Sequence, residues 1–263
     1  MKLGLSTWSF LGMDVYSAVE AVGGAGIDYL ELWGEHPHAY PGWVDERRLR
    51  DTLSAFDLTV SVHAPFTDLN PASPDPRVRG AIQDVLERFV EFSVGLGASM
   101  VTVHPGSVHN ELLVGGSSKS SVETIRKMAR AAGGRLSINV ENQTRSGSKY
   151  HYPLASTPDS LLALLSEVDG AKCTLDVGHA HASGQDFLDL AGRLGRRMAE
   201  VHLSDNFGEN DDHLVPGEGN APLTEFFRRV AETDALVCLE LNPHRYGRDG
   251  VLQGFRTAKR MFP

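Results

Sequence analysis

Met100-Val101-Thr102-Val103-His104-Pro105-Gly106 is a short apolar run that ends on an imidazole and is stopped by Pro-Gly. It has the length and the punctuation of a buried strand. Behind it, Pro76 to Val94 carries Val78, Ile82, Val85, Leu86, Phe89, Val90 and Phe92 mostly on one helical face. The same alternation extends in both directions. Strand-like runs recur at Leu3–Leu5, Tyr29–Leu32, Thr59–His63, Leu136–Glu141, Cys173–Asp176, Ala199–Leu203 and Val237–Leu241. Helical spacing returns between them, at Ser121–Ala132, Ser160–Val168 and Leu223–Val230. Thr157-Pro158-Asp159 reads as a cap followed by proline at the first helical position.

Strands that alternate with helices pair in parallel through crossover helices. Eight such units in 263 residues close most naturally into a (β/α)8 TIM barrel, read here as one domain over residues 1–263. A doubly wound open sheet is the other arrangement, but no G-x-G-x-x-G follows the first strand. The composition, 41% hydrophobic and 22% charged, belongs to a globular chain with a substantial core. No run of about 18 apolar residues could span a membrane. The N-terminus lacks a signal-peptide core, which predicts a cytoplasmic protein. Cys173 and Cys238 are too few for a disulfide framework and read as buried small residues. The formal charge of −9 disfavours nucleic acid as a partner.

The strand ends carry the chemistry. His63 and His104 close the third and fourth strands, Glu141 and Asp176 the fifth and sixth, and His202 and Glu240 lie at the ends of the seventh and eighth. In a parallel barrel these ends share one rim, so six imidazoles and carboxylates can converge on the axis. A lone His or Glu at a strand end is ordinarily a polar rim residue, but a carboxylate within an apolar strand is costly unless paired or metal-bound. Mixed His and carboxylate donors suit Zn2+, Mn2+, Fe2+ or Co2+ better than Ca2+ or Mg2+. His179, three residues after Asp176, and the loop residues Asp211 and His213 add to the candidate metal ligands. Trp8 and Trp33 follow the first two strands and could stack on a sugar. Arg145, Lys149, His244 and Arg245 lie in rim loops where they could meet an anionic substrate. His109, His151 and His181 are placed near the rim, and His36 and His38 at the surface.

The chain resembles the xylose isomerase-like TIM barrels, which include endonuclease IV and many sugar phosphate isomerases and epimerases. The resemblance covers nearly the whole chain. It rests on His63-Ala64-Pro65, His104-Pro105-Gly106-Ser107, Glu141-Asn142, Asp176-Val177-Gly178-His179-Ala180, His202-Leu203-Ser204-Asp205 and Glu240-Leu241-Asn242. It implies one of two chemistries. In the isomerase and epimerase branch, one divalent metal would be held by Glu141, Asp176, His202 and Glu240. Glu141 and Glu240 would then be the catalytic pair that removes and returns a proton beside a sugar carbonyl. In the endonuclease IV branch, three zinc ions would be held by His63, His104, Glu141, Asp176, His179, His202, Asp211, His213 and Glu240, and a phosphodiester would be cleaved.

Three stretches favour the sugar branch. Glu31-Leu32-Trp33-Gly34-Glu35 is an acidic mouth, the loop from Glu35 to Trp43 contains no Lys or Arg, and Asp68 neighbours Phe66, the one side chain placed to wedge into a base stack. The expectation is therefore a metal-dependent isomerase or epimerase of a small sugar or sugar phosphate, with one to three Zn2+ or Mn2+ ions per chain and no membrane partner. The resemblance also implies a homodimer as an option.

Overall fold

The computed structural model describes residues 2–145 and 150–261. Eight parallel strands form its centre: β1 (Leu3–Ser6), β2 (Tyr29–Trp33), β3 (Thr59–His63), β4 (Met100–Val103), β5 (Ser137–Glu141), β6 (Lys172–Asp176), β7 (Met198–Leu203) and β8 (Leu236–Leu239). They close in sequence order, with β8 hydrogen-bonded to β1. Each strand lies within two residues of its window in the sequence. A separate antiparallel pair, Ser107–Val108 with Tyr152–Pro153, ties the loop after β4 to the loop after β5.

The helices are α1 (Val15–Gly24), α2 (Glu46–Ser54), α3 (Pro76–Gly95), α4 (Val114–Ala132), α5 (Pro158–Ser166), α6 (Val177–Ala182), α7 (Phe187–Leu194), α8 (Leu223–Ala231) and α9 (Pro243–Met261), the last broken at Gly247. Side-chain caps start several of them. Asp75 accepts from Arg77 N and Val78 N ahead of Pro76, and Thr157 forms a capping box with Ser160 ahead of Pro158. Helix α4 begins at Val114, seven residues before the Ser121 expected from its pattern. Val114-Gly115-Gly116-Ser117-Ser118 has weak helix propensity. Tertiary contact holds this first part, with Ser117 buried and the Ser121 hydroxyl donating to the Pro105 carbonyl at 2.6 Å. Among the described residues, no helix is long and apolar enough to cross a membrane.

The strands alternate, except where β7 shifts register against β6 between Met198 and Glu200. One set of side chains, including Leu5, Leu30, Leu32, Val60, Val62, Val101, Val103, Ile138, Val140, Leu175, Val201 and Leu239, packs into the apolar layer beneath the helices. There it meets Val19, Leu49, Phe89, Ile125, Leu161, Leu190, Phe226 and Val251, all buried. The other set points into the bore and is mostly polar. Its lower level contains Tyr29, Ser61, Thr102, Asn139, Thr174 and Glu200, and its upper level Glu31, His63, Glu141, Asp176 and His202, all buried. His104 and Glu240 join the upper level just past the ends of β4 and β8. Gly4 on β1 makes room for this filling, because a Cβ there would sit 2.1 Å from the Tyr29 carbonyl oxygen.

Candidate metal centre at the barrel mouth

Glu141 is the hub. Its Oε2 lies 2.8 Å from His104 Nε2 and 3.3 Å from His63 Nε2, and its Oε1 lies 3.2 Å from His202 Nδ1 and 3.5 Å from His179 Nδ1. His202 Nδ1 also faces Glu240 Oε2 at 3.7 Å and Asp176 Oδ2 at 4.0 Å. On the outer side, Asp211 Oδ2 stands 3.3 Å from His179 Nε2 and 3.0 Å from His213 Nε2. All nine candidate ligands therefore meet in one mouth. They fall into three arms: His63 with His104 on Glu141; Asp176, His202 and Glu240 with Glu141; and His179, Asp211 and His213.

Three of these spacings, His63–Glu141 (3.3 Å), His179–Glu141 (3.5 Å) and His179–Asp211 (3.3 Å), are those of donors around one cation, and the others lie within about 0.5 Å of them. Tetrahedral ligand bonds of ~2.0–2.2 Å place donor atoms ~3.3–3.6 Å apart. The orientation of the rings fits as well. His63 Nδ1–H donates to the Ala64 carbonyl (2.9 Å), His179 Nδ1–H to the Asn142 carbonyl (2.8 Å) and His213 Nδ1–H to the Glu240 carbonyl (3.1 Å). A carbonyl can only accept, so the proton is fixed outward and Nε2 is free to face the mouth. Asp211 Oδ1 is buried with no hydrogen-bond partner among the described residues. An unpaired buried carboxylate oxygen is costly, and a cation would satisfy it. The donor set thus suits a divalent metal, and Glu141, Asp176, His202 and Glu240 would form its innermost cage.

The electrostatics reflect this crowding. Burial raises carboxylates, but the imidazoles around Glu141, His104 foremost, override it and hold Glu141 well below the usual range. Asp211 is likewise held low by His179 and His213 against its burial. For Glu240 burial wins, with Glu31 adding repulsion, and its carboxyl is pushed up to about 7. Burial also lifts Asp176, to about 6. Burial opposes protonation of His63, yet Glu141 and Glu31 raise it to about 9.

The loop that carries Asp211 and His213 is held by Asp205. Its carboxylate accepts from the backbone N–H groups of Asn206 (2.9 Å), Gly217 (2.8 Å), Gly219 (3.1 Å) and Ala221 (3.1 Å). Above the ligands, Trp8, Trp33 and Phe66 form aromatic walls of a cavity of about 190 Å³. Trp8 packs against His213 with ring centroids 4.5 Å apart, and Phe66 stacks on His104 at 4.4 Å. The Phe66 and Thr67 amides donate to Glu35 Oε1, which ties the loops after β2 and β3 together.

Other expectations are placed differently. Arg145, His244 and Arg245 are exposed and do not line the cavity. Arg245 Nη2 instead lies 3.7 Å from Glu218 Oε2. Lys149 lies outside the described residues. His36 is exposed, but His38 is fully buried and bonded to the Met13 carbonyl at 3.0 Å, so its assignment to the surface is corrected. His181 lies in α6 with Nδ1 on Asn206 Oδ1 at 2.7 Å. Cys173 and Cys238 are both free and buried.

Three buried carboxylates were not among the candidates: Asp205, which holds the loop, and Glu31 and Glu200 in the bore. Glu31 accepts from His202 Nε2 at 3.0 Å. Glu200, one level down, receives the hydroxyls of Tyr29, Ser61 (3.0 Å), Thr102 (2.7 Å) and Thr174 (3.2 Å). The signal for Glu200 was available: it sits two residues before His202, the spacing that sends both side chains to the same face of a strand.

The family profile described as "Xylose isomerase-like TIM barrel" matches residues 19–261. The uncharacterized protein MJ1311 of Methanocaldococcus jannaschii is 30% identical over 253 residues, which cover 91% of this chain and 83% of that protein. Fructoselysine 3-epimerase of Shigella flexneri is 21% identical over 98% of both chains. A solved structure described as a D-tagatose 3-epimerase-like protein superposes with a TM-score of 0.83 at 26% identity, covering 99% of this chain and 97% of its own.

Proposed function

The chain belongs to the xylose isomerase-like TIM barrel family, and from that premise we propose that it is a divalent-metal-dependent isomerase or epimerase of a small sugar. One observation carries the reading. Glu141 and Glu240, from strands on different sides of the barrel, both approach His202 Nδ1, at 3.2 Å and 3.7 Å, in the floor of an aromatic-walled cavity. Two carboxylates at one small-molecule cavity are what proton removal and return beside a carbonyl require. Glu141 or Glu240 takes the proton from the carbon next to the carbonyl. The other delivers a proton to the opposite face of that carbon in epimerisation, or the proton returns to the neighbouring carbon in isomerisation. A bound Zn2+ or Mn2+ would supply a Lewis acid for the substrate oxygens. Trp8, Trp33 and Phe66 line the cavity and offer apolar faces to the sugar. The relatives named for sugar 3-epimerases support this substrate class.

The cavity, about 190 Å³, is smaller than the ~300–1,000 Å³ of drug-sized sites and suits a single small sugar. Its walls include no Lys or Arg among the described residues, which favours an unphosphorylated sugar over a phosphate ester.

A second reading rests on the two outer arms. The His63–His104 and His179–Asp211–His213 arms are assembled as fully as the inner cage, and proton transfer by two Glu residues does not need them. They suit a trinuclear zinc phosphodiesterase. Metal analysis of the purified protein separates the readings: about one ion per chain supports the single-metal isomerase, and about three supports the trinuclear centre. Solvent proton exchange into a panel of ketoses, set against incision of a duplex with one abasic site, then tests the chemistry. Incision without exchange would overturn the isomerase.

A further inference from the structure

We propose that Glu31 is a positioning residue whose carboxylate turns the His202 imidazole so that Nδ1, not Nε2, is offered to a cation in the barrel mouth. This rests on the metal-dependent reading above. His63, His179 and His213 all place Nδ1–H on a main-chain carbonyl and turn Nε2 inward. His202 is reversed. Its Nε2–H donates to Glu31 Oε2 at 3.0 Å, and Nδ1 faces the oxygens of Glu141, Glu240 and Asp176.

The difference follows from position. His63, His179 and His213 reach carbonyls in loops or at strand ends, whereas His202 lies inside the bore, where strand carbonyls are engaged in the barrel ladder. Only another inward side chain can take its outer proton. Glu31 does so across the barrel from β2, and its second oxygen, Oε1, accepts from the Cys238 thiol at 3.8 Å. Glu31 and His202 are at most 1% exposed, so water does not compete for the bond. A carboxylate in this place does more than a carbonyl: it fixes the tautomer and raises the electron density at the opposite nitrogen. Among these four rings, the Glu31–His202 pair is therefore the ring-orienting contact that carries a full charge.

The test uses zinc-loaded protein with 15N-labelled histidine. In wild type, the His202 ring should show a protonated Nε2 and zinc on Nδ1. Glu31→Leu removes the acceptor. Zinc affinity, measured by chelator competition, should fall towards 100-fold, and the fixed Nε2–H signal should be lost. Glu31→Gln keeps an acceptor oxygen without the charge, so the signal should persist while affinity falls about 10-fold. If Glu31→Leu does not fold, Glu31→Gln decides alone by that combination. Zinc on Nε2 in the wild type, or unchanged affinity in the folded variants, would overturn the positioning role. A wild type that binds no zinc would overturn the metal reading and this inference together, and differs from the other outcomes because those begin from loaded protein.

Discussion

Asp205 and Leu214 exchange two backbone hydrogen bonds, Asp205 N to Leu214 O at 2.9 Å and Leu214 N to Asp205 O at 2.8 Å. This bridge closes the base of the loop that carries Asp211 and His213. The four amides gathered by the Asp205 carboxylate then fix the rest of its path. Asp205→Ala would leave those amides without their acceptor, at a cost of about 2–4 kcal/mol. The expected result is a lower thermal midpoint together with loss of metal from the outer arm, read by calorimetry and metal analysis. Asp205→Ala that melts like wild type and keeps its full metal content would show that the loop is held by the backbone bridge alone.

Glu240→Gln tests the proton-transfer pair. The amide cannot accept or return the proton, so exchange of solvent hydrogen into substrate should fall by roughly 10²–10⁴-fold. The Glu240 carbonyl that orients His213 belongs to the main chain and is retained. Intact exchange in Glu240→Gln would remove Glu240 from the chemistry.

Gly178 tests how tightly the outer arm is seated on α6. A Cβ at this position would lie 2.5 Å from Ser204 Oγ and 3.0 Å from Asp211 Oδ1. Gly178→Ala should cost about 1–3 kcal/mol through overpacking. It should also displace Asp211 more than Asp176, whose Oδ1 would lie 3.3 Å from the added Cβ, so that the affinity of the outer arm falls further than that of the inner cage. Equal loss from both would mean that the arms are not independent.

His38 gives a stability test away from the metal centre. Burial lowers its pKa below the ordinary 6.5, so the folded state favours the neutral ring. The unfolded chain takes up the proton first as pH drops. The stability from this group is therefore complete above about pH 6.5 and declines below it. Urea melts from pH 7.5 to 5 should show wild type losing stability faster than His38→Gln. Parallel slopes would show that His38 is not the group responsible.

The barrel was legible because each strand is a short apolar run closed by Gly, Pro or a polar side chain, and this pattern survives folding intact. Six of the nine candidate ligands, His63, His104, Glu141, Asp176, His202 and Glu240, were legible for a related reason, since a polar residue at the end of an apolar strand stands out; His179, Asp211 and His213 lie beyond the strands, where no such pattern marks them. Glu31 was visible only as part of an acidic mouth, because sequence does not tell which ring across the bore a carboxylate will meet. Glu200 was obscured by its place within the strand, below the rim. His38 read as a surface residue because it follows Pro37 in a loop, and only packing against Trp33 and the Met13 carbonyl buries it. The first part of α4 was hidden by two glycines and a run of serines, where tertiary anchoring outweighs local preference.

The alternation along the strands has a further consequence. Free energy of folding comes mainly from the annulus between sheet and helices, where the aliphatic and aromatic side chains meet. The bore, by contrast, is filled with hydroxyls, amides, imidazoles and carboxylates that bond to one another. The two compartments lie on opposite faces of the same strands, so the polar filling of the bore is set by residues other than those that form the annulus. In a scaffold partitioned in this way, the residues that hold the barrel together and the residues that meet a substrate are separate sets.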